Sequence, residues 1–224
     1  MRIVLFGATG MIGQGVLREC LLDPRVECVL SIGRNVSGVS HAKLREIVLT
    51  DLLDYSGIAS QLAGFDACFF CLGVTSNGTE PAEYERVTYE IPVAAAETLV
   101  RVSPNATFVY VSGAGADSSE HGRIRWARVK GKAENAILRM GFKAAYMFRP
   151  GFIQPLHGIR SRTRSYRIFY AVTGPILPLL RAIVPSSILT TEQIGRAMIK
   201  VAEVGAPKSV LESQDIFLIS QMKS

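Results

Sequence analysis

Residues 2–13 constrain the fold of this chain more than any other stretch. Arg2-Ile3-Val4-Leu5-Phe6 is a short apolar run rich in β-branched and aromatic residues, and Gly7-Ala8-Thr9-Gly10-Met11-Ile12-Gly13 follows it without a break. A run of this kind bounded by glycine predicts a strand buried on both faces. Past the glycines, Ile12, Val16, Leu17 and Leu21 recur at helical spacing until Asp23-Pro24 stops the helix. A strand that feeds a helix through GxxGxxG gives each glycine a task. The first permits the tight turn, the second lets a ligand approach the backbone, and the third lets the helix pack closely on the strand. The backbone N–H groups of Thr9 to Ile12 would then face an anion from the positive end of the helix. A pyrophosphate suits that position, which implies a dinucleotide.

The remaining pattern supplies the sheet that such a loop needs. Apolar runs at 28–31, 47–49, 66–72, 107–112 and 144–148 read as strands, and 55–62, 81–102, 123–140 and 192–204 read as helices. Strands alternating with helices of ten or more residues imply parallel βαβ units. The expected fold is α/β, a doubly wound parallel-sheet Rossmann fold, with a small and mostly helical C-terminal region from Gly151 onward. No linker, repeat or low-complexity tract divides the 224 residues. The chain is therefore read as a single domain, 1–224, with 155–190 as a lid or substrate-side segment within it.

The rest of the nucleotide site follows from strand ends. Ser31-Ile32-Gly33 leads to Arg34, where an acidic residue would bind the ribose 2′-hydroxyl of NAD(H). Arginine there suits a 2′-phosphate, which favours NADP(H) over NAD(H). Asp51 and Leu52 follow the third strand and are expected at the edge and face of the adenine. Cys71, Leu72, Gly73 and Val74 end the fourth strand and are expected along the cofactor's middle. Pro150, Gly151, Phe152 and Ile153 follow the sixth and are expected at the nicotinamide end.

Composition sets limits on partners. A hydrophobic share of 48% with 20% charged residues describes a compact globule, and the net charge of +6 admits an anionic ligand or surface. The excess is concentrated in Arg123, Arg125, Arg128, Lys130 and Lys132, and in Arg160, Arg162, Arg164 and Arg167. A solvated basic face is the plain reading, with a phosphate- or membrane-facing patch as the alternative. No nucleic-acid-binding signature is present, so no nucleic acid partner is expected. Cys68 and Cys71 have a CxxC look but no histidine or second pair to complete a metal site. No metal is expected, and the four cysteines read as buried thiols of a reducing compartment. With no leader visible, the expected location is cytoplasmic. The apolar stretch 168–184 is short for a span and is interrupted by Gly174, Pro175, Pro178 and Arg181. A lid, a homodimer or partner contact, and a membrane-surface helix are all open readings of it.

The segments GATGMIG (7–13), CFFCLGVTS (68–76), VYVSGAGAD (109–117), WARVKGKAE (126–134) and FRPGFI (148–153) together resemble the atypical short-chain dehydrogenase/reductases with extended-type glycine loops. The group most similar in these segments is that of the Tat-interacting oxidoreductase-like proteins. In that superfamily a serine near the end of the fifth strand and a Tyr-x-x-x-Lys pair on the next helix carry hydride chemistry. The resemblance places the serine at Ser112 and the lysine at Lys130. It also implies that the lysine holds the nicotinamide ribose and that the serine holds a substrate carbonyl. Where the tyrosine belongs, this chain has Trp126. An indole N–H can donate or stack but is no acid near neutral pH, and loss of a positioned acid typically removes a factor of about 10²–10⁴ in rate. His121, His157, Tyr166 and Tyr170 are candidates to replace it, whereas Tyr84 and Tyr89 read as core. Two functions are carried forward. One is an NADP(H)-dependent oxidoreductase acting on an unknown small carbonyl or alcohol compound. The other is a non-catalytic NADP(H)-binding redox sensor or regulator of a protein partner.

Overall fold

A computed structural model of the chain describes residues 1–159 and 186–222. Strands β1 (Arg2–Phe6), β2 (Cys28–Gly33), β3 (Leu44–Val48), β4 (Ala67–Phe70), β5 (Thr107–Val111), β6 (Ala144–Arg149) and the short β9 (Val210–Glu212) form one sheet in the order β3-β2-β1-β4-β5-β6-β9. Every pairing in it is parallel. A separate pair joins β7 (Phe152–Gln154) to β8 (Ile188–Thr190). The helices are α1 (Met11–Leu22), α2 (Pro81–Glu85), α3 (Ile91–Val102), α4 (Arg125–Leu138), α5 (Thr191–Val204) and α6 (Ser213–Ser220).

The alternation within each strand builds a core on either face of the sheet. Ile3 and Leu5 join Val16 and Cys20 of α1 and Ile194 and Met198 of α5 on one side. Val4 and Phe6 join Phe70, Phe108, Leu99 and Ile137 on the other. On that second side Phe6 stacks on Phe70 at 5.1 Å, and Phe70 on Phe108 at 6.3 Å, giving an aromatic ladder across three adjacent strands. Glycines set the closest helix contact. A Cβ on Gly15 of α1 would stand 2.5 Å from Thr191 Cβ, and one on Gly195 of α5 would stand 2.8 Å from Glu19 Cγ.

The expected long helix over 81–102 is interrupted by a π turn, Arg86–Glu90. Pro92 explains it: with no N–H it cannot bond the Thr88 carbonyl four residues back. The buried Tyr110 hydroxyl donates to that carbonyl instead, at 2.9 Å. The C-terminal region also departs from expectation. Among the described residues it holds three strands as well as two helices, and β9 extends the sheet beyond β6. Each of these strands is three residues long, too short to show a period, and each exists through its partner. The basic run 160–167, Tyr166, Tyr170 and the apolar stretch 168–184 lie outside the described residues, as does most of 155–190.

Candidate functional site

The strand order reverses beside β1, so a crevice opens at the carboxyl ends of β1 and β4, the place where open α/β sheets take ligands. The loop Gly7–Gly13 fills that place. Gly7 has φ +82°, and a Cβ on it would lie 2.6 Å from Leu72 N at the end of β4. Gly10 N donates to Gly7 O at 2.9 Å, closing the turn. A Cβ on Gly13 would stand 1.9 Å from Gly7 O, so the helix can sit on the turn only without a side chain there. Gly10 is different: an added Cβ would meet only Gly7 O, at 3.3 Å. Gly10 caps α1 with no side-chain acceptor, and the first turn carries no acidic residue. Ala8 is buried, while Thr9, Met11 and Ile12 are half-buried. An open helix N-terminus beside a turn with room over Gly10 suits a phosphate group.

Beyond the loop, Arg34 is exposed at the end of β2 and makes no hydrogen bond or ion pair among the described residues. It lines a small cavity of about 50 Å³ with Thr50, Leu52, Leu72, Arg86 and Val87. Leu52 is buried and Leu72 half-buried. Asp51 Oδ1 accepts from Leu53 N at 3.0 Å and from Arg86 Nη2 at 3.4 Å. Cys71 N donates to Phe6 O at 2.9 Å, and Gly73 and Val74 run on exposed. All four cysteines are free, and burial pushes the Cys20, Cys68 and Cys71 thiols well up from their ordinary range. Thr50, Glu83, Arg86, Val87 and Ile91 line this cavity and were not picked out from sequence. The residues on 81–102 read there only as one face of a core helix.

A second group gathers at the ends of β5 and β6. Ser112 N donates to Phe148 O at 2.8 Å and Ala114 N to Pro150 O at 3.0 Å, which zips the two loops together. Helix α4 lies hard on the loop after β5, because a Cβ on Gly131 would stand 1.7 Å from Asp117 O. That contact sets Lys130 over the strand end. Its Nζ donates to Ser112 O at 3.1 Å and lies 5.6 Å above the Tyr110 ring. Burial lowers the Lys130 ammonium to about 8, with Glu134 pulling the other way. The Ser112 hydroxyl is buried and has no partner among the described residues, an orphan that a ligand oxygen or amide would satisfy. Trp126 sits one turn before Lys130, half-buried, with its ring edge 3.5 Å from where a Cβ on Gly115 would stand.

Glu134, one turn after Lys130, is fully buried and pairs with Arg149, whose Nε donates to it at 3.0 Å. Arg149 also donates to Ser118 Oγ at 2.6 Å. The pair thereby ties α4, the loop after β5 and the end of β6 together. Of the residues after β6, Pro150 is buried, Gly151 N donates to Ser213 Oγ at 2.8 Å, Phe152 is exposed and Ile153 is half-buried.

The candidates to replace the missing tyrosine fare differently. His121 is exposed, and His157 Nε2 lies 2.9 Å from Glu192 Oε2. Tyr84 is buried, with its phenol pushed up by that burial, and Tyr89 lies under Lys132 Nζ at 4.0 Å. Both described groups of site residues lie on one edge of the sheet, since every strand of it runs the same way.

Comparisons with known proteins bear on the fold and the family. Among curated proteins, Protein fmp52, mitochondrial, of Emericella nidulans is 27% identical over 157 residues, 67% of this chain and 66% of that protein. Protein FMP52-2, mitochondrial, of Scheffersomyces stipitis is 29% identical over 163 residues, 72% of this chain and 69% of that protein. The matches thus span about two thirds of these relatives' length. Their names overturn the expectation of a cytoplasmic place. Among solved structures, the Bordetella bronchiseptica enzyme WbmF in complex with NAD+ covers 97% of this chain and 76% of its own, at a TM-score of 0.70 and 14% identity. An oxidoreductase of the short-chain dehydrogenase/reductase family from Burkholderia thailandensis covers 97% and 92%, at a TM-score of 0.68 and 16% identity. These likenesses bear out the Rossmann fold. A family model matches residues 3–122, more than half of the chain and the whole span from β1 through the loop after β5, and the chain belongs to the NAD dependent epimerase/dehydratase family.

Proposed function

We propose that this chain binds NADP(H) in preference to NAD(H) and is an oxidoreductase-like protein for a small carbonyl or alcohol compound, with Trp126 in the place of the usual proton donor. The observation that carries this reading is the meeting of Lys130 Nζ with Ser112 O at 3.1 Å beside an unpartnered Ser112 hydroxyl. The glycine loop, residues 7–13, would hold the pyrophosphate, Arg34 the 2′-phosphate, and Leu52 and Leu72 the adenosine. Pro150 to Ile153 would border the nicotinamide. The bound dinucleotide would supply or accept hydride. Lys130 would donate to the nicotinamide ribose while charged, Ser112 would donate to a substrate oxygen, and Trp126 would wall the site and exclude water. The chain is proposed as one domain, in mitochondria like its named relatives.

A specific observation favours a second reading, a redox sensor without turnover. Among the described residues the tyrosine beside Lys130 is already committed: Tyr110 OH donates to Thr88 O. No phenol stands where Trp126 stands. The variant Trp126→Tyr separates the two readings. With a panel of small aldehydes and ketones, turnover of NADPH by Trp126→Tyr, at least about 10²-fold above the native chain, supports a site competent but for its acid. Tight NADPH binding with no turnover in either protein supports the sensor.

A further inference from the structure

We propose that Arg86 is a specificity-determining residue, forming with Arg34 a two-arginine clamp on the 2′-phosphate of NADP(H). This inference rests on the dinucleotide reading above and names a residue that reading does not use. The two side chains reach the same cavity from different elements, Arg34 from the end of β2 and Arg86 from the first residue of the π turn. Leu52, Leu72, Val87 and Ile91 give the same cavity apolar walls, beside Thr50 and Glu83, a surface suited to a flat base. Two cations at the mouth of such a cavity suit a base that carries a phosphate beside it.

The existing contacts of Arg86 leave it available. Its Nη2 lies 3.4 Å from Asp51 and its Nη1 lies 3.8 Å from Glu83. All three side chains are more than two fifths exposed, at 42%, 57% and 45% for Arg86, Asp51 and Glu83. Exposed pairs of this kind add little to the stability of a fold. The π turn is anchored instead by Val87 and Ile91, each 4% exposed in the core. Arg86 is therefore not needed to hold its own element. A phosphate dianion offers three acceptor oxygens, and a guanidinium meets it with two parallel N–H donors, so it displaces a long, half-solvated carboxylate contact. NAD(H), with a neutral 2′-hydroxyl, offers no such exchange. Asp51 gains a different role as well. Its carboxylate holds Arg86 only until the phosphate takes its place, and its charge opposes the phosphate.

Isothermal titration of the full chain with NADPH and NADH, in the native form and as Arg34→Gln, Arg86→Gln and Asp51→Asn, tests the clamp. The native chain should prefer NADPH. Arg86→Gln should weaken NADPH about tenfold while NADH stays within about twofold, and the retained NADH affinity reports an intact fold. Asp51→Asn should raise the ratio of NADPH to NADH affinity, since it removes a like charge facing the phosphate. The native preference should also shrink as salt screens the pair. Equal loss of both nucleotides in Arg86→Gln, or no change in either, overturns the clamp while leaving dinucleotide binding in place. A native chain that binds neither nucleotide overturns the reading beneath it too.

Discussion

Lys130, the residue proposed to hold the nicotinamide ribose, shows how a site side chain can come at a cost to the fold. Its ammonium sits under the Ser112 carbonyl, and burial takes it from 10.5 to about 8 on folding. Between about 8 and 10.5 the unfolded chain therefore holds a proton that the folded chain has released. Stability from this group rises with pH across that window, and below it the full cost of the buried charge is present. Thermal unfolding of the native chain and Lys130→Met, compared from pH 7 upward, should show the native Tm gaining on the variant's as pH passes 8. A constant difference between the two would mean that the ammonium is solvated. In the proposed complex the same proton is needed for the nicotinamide ribose, so NADPH affinity should weaken above pH 8 in the native chain and lose that inflection in Lys130→Met. Destabilised groups of this sort are common where function needs them.

At the scale of elements, the buried Glu134–Arg149 pair does the joining. Helix α4 brings Trp126, Lys130 and Glu134 to the sheet edge, and Arg149 ends β6 just before Pro150. Removing Glu134 leaves the Arg149 charge with only the exposed Glu212, 3.4 Å from its Nη1, to compensate it in part, so Glu134→Gln should destabilise the chain by about 3 kcal/mol. Denaturant unfolding measures it, and a loss under about 1 kcal/mol would place the pair among surface bridges of little consequence. Much of this arrangement is legible in sequence. Five of the first six strands are apolar runs bounded by turns, and the glycine loop joins β1 to α1 as its spacing requires. Strand β3 (Leu44–Val48) instead starts three residues before the expected run 47–49, because Arg45 and Glu46 break its apolar pattern. The π turn is not legible, because it depends on the Thr88 carbonyl, left without a helical donor by Pro92, meeting the Tyr110 hydroxyl from a strand distant in the chain. Arg86 is hidden for the same reason. Its neighbours Tyr84, Val87 and Ile91 mark a core face, and nothing local reveals that the next position opens on the cavity beside Arg34. Strand β9 has three residues and draws its conformation from β6.

For the whole molecule, the fold follows from one strand–loop–helix unit repeated across the sheet, while location does not follow from the sheet at all. The relatives named mitochondrial correct an expectation that rested on seeing no leader, which is a weak ground for placing any chain. In the proposed complex the glycine loop holds a dinucleotide whose nicotinamide end reaches Trp126. Titrating the native chain and Gly10→Ala with NADPH, and following the fluorescence of this one tryptophan, tests it most directly. The native chain should show saturable quenching, and about 2.7 kcal/mol of stabilisation at a hundredfold excess over the dissociation constant. Gly10→Ala should keep its fold, since its added Cβ meets only Gly7 O at 3.3 Å, yet bind far more weakly. Absence of both quenching and stabilisation in the native chain, or equal binding by Gly10→Ala, would contradict the account.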